Sequence, residues 1–191
     1  MRFVSKRNEV TLRNGLVHKK VKDPQAAALE ASILRDLRGR GVPVPEVIAC
    51  RDGLLVMEYL PGEPLPDVIE RGGYDPGAVA LALCGWLAAF YAAAAPDELR
   101  GDVNGRNFLY DGMKIYSVDF EGRGFGPKAR DAGRLAAFLV TYGTCDAQKQ
   151  AALTEAFIRE FAARFNCAMD EILAERELEF AAMRLRRHHT A

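Results

Sequence analysis

Short apolar runs bounded by turn residues open the chain: Phe3-Val4, then Glu9-Val10-Thr11-Leu12, then Leu16 to Val21, the last two separated by Asn14-Gly15. An Asn-Gly pair between such runs suits a two-residue hairpin turn, which needs positive φ at both positions, so the start reads as a β-meander. The period then changes. Ala27/Ala28, Ala31, Leu34 and Leu37 recur at helical spacing over Pro24 to Arg38, with Pro24 in the first turn and Gly39 and Gly41 ending the run. Val42-Pro43-Val44-Pro45 must be extended, because proline disfavours helix in the residue before it. Val47-Ile48-Ala49-Cys50 and Leu54-Leu55-Val56-Met57 form a second hairpin through Asp52-Gly53, and Pro61, Gly62 and Pro64 then break the pattern. A third hairpin joins Phe108-Leu109-Tyr110 to Ile115-Tyr116-Ser117-Val118 through Asp111-Gly112. Helices are expected over Ala147 to Phe165, after its cap Asp146, and over Asp170 to Arg187, capped at Met169/Asp170. Leu153, Phe157, Phe161 and Phe165 make a core stripe on the first of these.

The uncharged stretch Gly77 to Ala95 has the length of a membrane span, but it is rich in Gly and Ala. Asp75, Asp97 and Glu98 flank it and no basic cluster anchors it, so it reads as a buried helix without membrane insertion. The 191 residues are 49% hydrophobic, enough for one ordinary domain or two small lobes. Lys plus Arg and Asp plus Glu both number 26, so no net field points to nucleic acid as a partner. The exception is local: Arg184, Arg186 and Arg187 form a basic C-terminal tail suited to a phosphate-bearing partner or simply to a solvated helix end. Cys50, Cys84, Cys145 and Cys167 are far apart, as free thiols in a reducing cytoplasm would be. With only three histidines, two of them at the extreme C-terminus, neither a His-based triad nor a multi-His metal centre is expected. The N-terminus lacks an apolar core of signal-peptide length, and a cytoplasmic location is expected.

The chemistry concentrates between Arg100 and Gly126. Asp102 and Asn107 precede the first strand of the third hairpin and Asp119 follows the second, so the hairpin gathers their oxygens at one end. Mg²⁺ favours such a set, taking one or two carboxylates and completing its shell with water and substrate phosphates. On the strand Leu16 to Val21, alternation offers two faces, Val17-Lys19-Val21 or Leu16-His18-Lys20.

Gly101-Asp102-Val103-Asn104-Gly105-Arg106-Asn107 resembles the catalytic loop H-G-D-x-x-x-x-N, and Val118-Asp119-Phe120-Glu121 resembles the metal-binding D-F-G, of the protein-kinase-like superfamily in its aminoglycoside and choline phosphotransferase branch. The resemblance implies a two-lobed α+β kinase-like fold, with residues 1–60 as the N-lobe and 61–191 as a short, mostly helical C-lobe. It implies ATP and Mg²⁺ as cofactors, with Asp102 orienting or deprotonating an acceptor hydroxyl and Asn107 and Asp119 holding Mg²⁺ on the phosphates. Lys19 is the strand lysine by the same likeness, with Val17 against adenine, and Glu30 is its helix partner. Val56-Met57-Glu58-Tyr59-Leu60-Pro61-Gly62 resembles the hinge, where the backbone of Glu58, Tyr59 and Leu60 meets the adenine edge. Asp131, in D-x-x-R-L-A, resembles the residue that braces the catalytic loop.

The expected activity is phosphoryl transfer from ATP to a hydroxyl on a small molecule or protein. The compact length also resembles RIO kinases and the small kinase subunit of the KEOPS complex, which implies an atypical protein kinase or an ATPase working inside an assembly. Three departures from the family pattern keep a pseudokinase, a binding module, as a further alternative. Arg100 stands where His is usual, Glu121 stands where Gly is usual, and the nucleotide-covering loop Ser5 to Asn8 has no glycine.

Overall fold

The computed structural model describes residues 2–3, 8–120 and 122–188; Ser5 to Arg7 of the nucleotide-covering loop and Glu121 lie outside them. Five antiparallel strands form the first sheet, β1 (Arg2–Phe3), β2 (Glu9–Arg13), β3 (Leu16–Lys20), β4 (Val47–Arg51) and β5 (Leu54–Glu58), in the order β1-β2-β3-β5-β4. Its two tight turns use the residues that tolerate positive φ: Asn14 and Gly15 at 51° and 76°, Asp52 and Gly53 at 51° and 78°. Between β3 and β4 runs α1 (Pro24–Gly39), whose first amide, that of Gln25, is capped by the Asp23 carboxylate at 2.9 Å. Ala27, Ala31, Leu34 and Leu37 face the sheet, and Val42 and Val44 follow them into the core.

The rest of the chain is mainly helical. β6 (Glu63–Pro64) leads to α2 (Leu65–Arg71), which sequence periodicity did not reveal because seven residues carry too few repeats. α3 (Pro76–Ala93) buries Val79, Leu83, Trp86, Leu87 and Phe90. It is the one helix among the described residues long and apolar enough to cross a membrane by composition, and here it is a core helix. Trp86 meets the Phe108 ring edge-on at 5.4 Å and donates its indole N–H to the Pro43 carbonyl at 2.9 Å, tying α3 to the linker after α1. β8 (Phe108–Tyr110) and β9 (Ile115–Ser117) form the expected third hairpin, with β6 at its side. β7 (Glu98–Leu99) pairs with β10 (Gly124–Phe125), a contact between two-residue strands that no local pattern announces.

α4 (Lys128–Leu139), α5 (Ala147–Phe165) and α6 (Met169–His188) complete the fold. Asp131 lies in the first turn of α4, and α6 begins at Met169. On α5, Leu153, Phe157 and Phe161 are fully buried while Phe165 is half-buried. Gly133 lets α4 and α6 touch: a Cβ there would stand 2.6 Å from the Arg176 amide nitrogen. The four cysteines are free. One continuous apolar core runs from Leu34 and Leu55 through Trp86 to Phe161, so the sheet and the helices are held as one body.

Candidate active site

Lys19 is the inward residue of β3, 5% exposed, while Lys20 beside it is exposed. Its Nζ donates to both Glu30 oxygens, at 3.0 and 2.8 Å, and to Asp119 Oδ1 at 3.2 Å. Glu30 lies one residue off the apolar stripe of α1, yet it is 2% exposed because the lysine brings it under the sheet. A buried pair of this kind is held by mutual neutralisation more than by net gain. Lys19→Met strips the ammonium from a buried carboxylate and should cost about 3 kcal/mol or more in chemical denaturation. Lys19→Met with Glu30→Leu should recover most of that loss.

The pairing of β7 with β10 positions the loop that follows: the Asp102 amide donates to Gly122 O at 3.2 Å. Asp102 is exposed, and one of its oxygens accepts the Asn104 amide at 3.2 Å. A 3-10 turn, Gly105–Asn107, comes next, held from outside by the Tyr142 hydroxyl, which accepts the Gly105 amide at 2.7 Å. Asn107 links the two acidic segments. Its side-chain Nδ2 donates to Asp102 O at 3.3 Å, and its own carbonyl accepts the Val118 amide at 3.0 Å. Asp102, Asn107 and Asp119 therefore stand at one end of the β8–β9 hairpin.

Asp119 adopts φ 64°, a left-handed conformation that costs a non-glycine residue about 1–2 kcal/mol. Arg100 is what holds it. Its guanidinium is fully buried, donates Nη2 to Val118 O at 2.8 Å and Asp119 O at 2.6 Å, and lies 4.2 Å over the Phe120 ring. The Arg100 pKa is lowered to about 10, because the effect of burial outweighs the opposing pull of the acidic neighbours, Asp102 first among them. The sequence marks Arg100 only as a substitute for His; in place it is a brace, because its partners, the Val118 and Asp119 carbonyls, come from a segment far along the chain.

Asp131 braces the same loop from below. It accepts the Arg100 amide at 2.7 Å, the Gly101 amide at 3.1 Å and the Tyr91 hydroxyl at 3.0 Å. Burial raises its pKa, and the two amides, the hydroxyl and the Arg100 charge oppose the rise.

At the end of β5, Glu58 turns its carboxylate outward to Arg38 at 2.7 Å and to the Glu46 amide at 3.1 Å. Tyr59 is exposed and Leu60 buried, and the backbone amides of both make no hydrogen bond among the described residues. At the C-terminus Arg186 of the basic tail pairs with the buried Glu179 while remaining exposed itself.

The donor set fits Mg²⁺. Asn107 spends its NH₂ on Asp102 O and keeps its side-chain oxygen, while the Asp119 carboxylate is 43% exposed beside it. Among the described residues no group of three or more His, Cys, Asp or Glu side chains is poised to hold a metal, so any ion here would depend on oxygens from outside the chain.

An antiparallel five-stranded sheet with one buried Lys–Glu pair, followed by a helical part carrying this loop and hairpin, defines a protein-kinase-like fold. Among solved structures, the ADP-bound aminoglycoside phosphotransferase APH(2'')-Ib matches with a TM-score of 0.64 over 91% of this chain and 80% of its own, at 12% identity. A choline/ethanolamine kinase family protein from Mesorhizobium loti matches at 0.60 over 100% and 80%, at 17% identity. The RIO domain profile matches residues 3–121, more than half of the chain, and the chain belongs to that family. The EKC/KEOPS complex subunit BUD32 of Encephalitozoon cuniculi is 35% identical over 91 residues, 48% of this chain, and the match spans only 44% of that relative. The family is one of kinase-type enzymes.

Proposed function

We propose that the protein transfers the γ-phosphoryl group of ATP to a hydroxyl acceptor, with the nucleotide between residues 1–60 and 61–191. The observation that carries this reading is the Lys19 ammonium, placed by one strand within 3.2 Å of both Glu30 and Asp119, carboxylates 89 residues apart in sequence. In ligand-free protein Asp119 neutralises the ammonium; with nucleotide bound, phosphate oxygens compete for it while Glu30 keeps it in place.

The free amides of Tyr59 and Leu60 suit the adenine edge, with Glu58 contributing backbone, because an N–H without a protein partner is available to any acceptor brought to it. Asn107 and Asp119 would hold Mg²⁺, which supplies charge neutralisation on the phosphates. The exposed Asp102 carboxylate, which accepts the Asn104 amide while the residue's own amide donates to Gly122 O, orients the acceptor hydroxyl and takes its proton. Phosphoryl transfer requires chiefly positioning and electrostatics, and the chain builds both on rigid supports, Arg100 and Asp131.

A second reading, an ATPase or atypical kinase working inside an assembly, is favoured by the relative named as a complex subunit. Thermal unfolding with an ATP analogue tests the common premise. The transition should rise with analogue and rise further with Mg²⁺. An identical melt in all conditions, with calorimetry showing no binding, rejects both readings.

A further inference from the structure

Beside Asp102 the catalytic loop opens onto a cavity of about 570 Å³, within the roughly 300–1,000 Å³ of small-molecule sites. One wall is loop and backbone, Gly101 to Asn104 and Gly122 to Phe125. The opposite wall is cationic. Arg130, Arg134 and Phe138 follow one another at one-turn spacing along α4, Arg186 backs them from α6, and Arg123 stands across.

Four guanidiniums thus line a cavity whose own carboxylates are Asp102 and Glu179. Their counter-charges are unevenly spread. Arg123 pairs with Glu98, and Arg130 is 3.8 Å from Glu175. Arg134, at 3.7 Å, and Arg186 both reach the carboxylate of Glu179. Arg134 donates no hydrogen bond among the described residues, and Arg130 spends one donor on Phe125 O at 3.2 Å. A planar guanidinium with donors to spare, facing a cavity, matches phosphate and carboxylate geometry.

We infer that this cavity takes the acceptor, and that the acceptor is a small hydroxyl compound already carrying an anionic group, phosphate or carboxylate, gripped by Arg130 and Arg134 with its hydroxyl toward Asp102. The inference rests on the phosphotransferase reading above. In the step it implies, the acceptor oxygen forms a bond to the γ-phosphorus, the bond from that phosphorus to the bridging oxygen of ATP breaks, ADP leaves, and the hydroxyl proton passes to Asp102.

Three probes with one carbon skeleton test it: glycerol 3-phosphate, D-glycerate and glycerol, titrated calorimetrically into protein saturated with Mg²⁺ and a non-hydrolysable ATP analogue, and again without analogue. At least one anion should bind roughly tenfold or more tightly than glycerol, and which of the two does so identifies the anionic group. Arg134→Gln should weaken that binding roughly tenfold, the loss of one charge-assisted contact. Glu179→Gln should strengthen it, by releasing the arginines. Both substitutions break the same ion pair, so a purely structural role moves them in the same direction, and that result overturns the inference. Equal affinity for glycerol and the anions also overturns it, as does transfer to a neutral serine peptide that neither anion inhibits. Should Arg134→Gln fail to fold, Arg130→Gln carries the same expectation. Absence of analogue binding to the wild type would instead defeat the phosphotransferase reading, and the titration without analogue keeps the two failures apart.

Discussion

Asp119→Ala is expected to abolish Mg²⁺-dependent nucleotide turnover, whereas Asp102→Ala should leave nucleotide affinity intact and lower the transfer rate alone, on the order of 10² to 10⁴-fold for loss of a general base. The asymmetry follows from what each carboxylate touches. Asp119 contacts Lys19 and stands beside Asn107, so its loss changes how the nucleotide's phosphates are held before any reaction. Asp102 is exposed and lines the arginine-lined cavity, and in the proposed reaction it acts where the acceptor oxygen attacks. An interaction made mainly in the transition state appears in the rate, and one made in the ground state appears in binding. The assay is ATP hydrolysis, which requires no acceptor, together with calorimetric titration of an ATP analogue. Hydrolysis at background in the wild type, indistinguishable from both variants, would identify a pseudokinase.

The second large effect belongs to a residue that touches no substrate. Asp131→Ala removes the acceptor of two loop amides and the Tyr91 hydroxyl and takes away a counter-charge of the fully buried Arg100. Each buried donor left without a partner costs about 1–3 kcal/mol, so the total should be on the order of 3 kcal/mol or more. Urea denaturation should show the midpoint falling with little change in slope, since the surface exposed on unfolding is nearly the same. A loss under about 1 kcal/mol would mean that water replaces the carboxylate and that the loop does not depend on it. Asp131→Asn separates charge from shape: it keeps an acceptor but turns an NH₂ toward one of the donors, so it should fall between alanine and the wild type.

Much of the fold was legible because its signals are local. Asn14-Gly15 and Asp52-Gly53 specify hairpins through the φ values they tolerate, and the spacing of Ala31, Leu34 and Leu37 marks a helix. The pairing of β7 with β10 was not legible, because two-residue strands joined across more than twenty residues have no period to detect. α2 escaped for a similar reason, and Glu30 was legible as the partner of Lys19 only by resemblance, because burial of a carboxylate depends on a cation supplied by another element.

By itself the sequence determined the turns, the periods and the order of elements, and it placed one lysine, two aspartates and an asparagine at positions that fit one chemistry. Strand alternation, by contrast, allows either face, and only the tertiary structure decided that Lys19 points inward, where Glu30 and Asp119 neutralise it. Tertiary structure also turned Arg100 into a buried brace for a left-handed Asp119, and set Arg130 and Arg134 of α4 across a cavity from Asp102. The reason is common to all three. Charge in a protein interior or cleft is tolerated according to what faces it, and what faces it comes from segments far away along the chain.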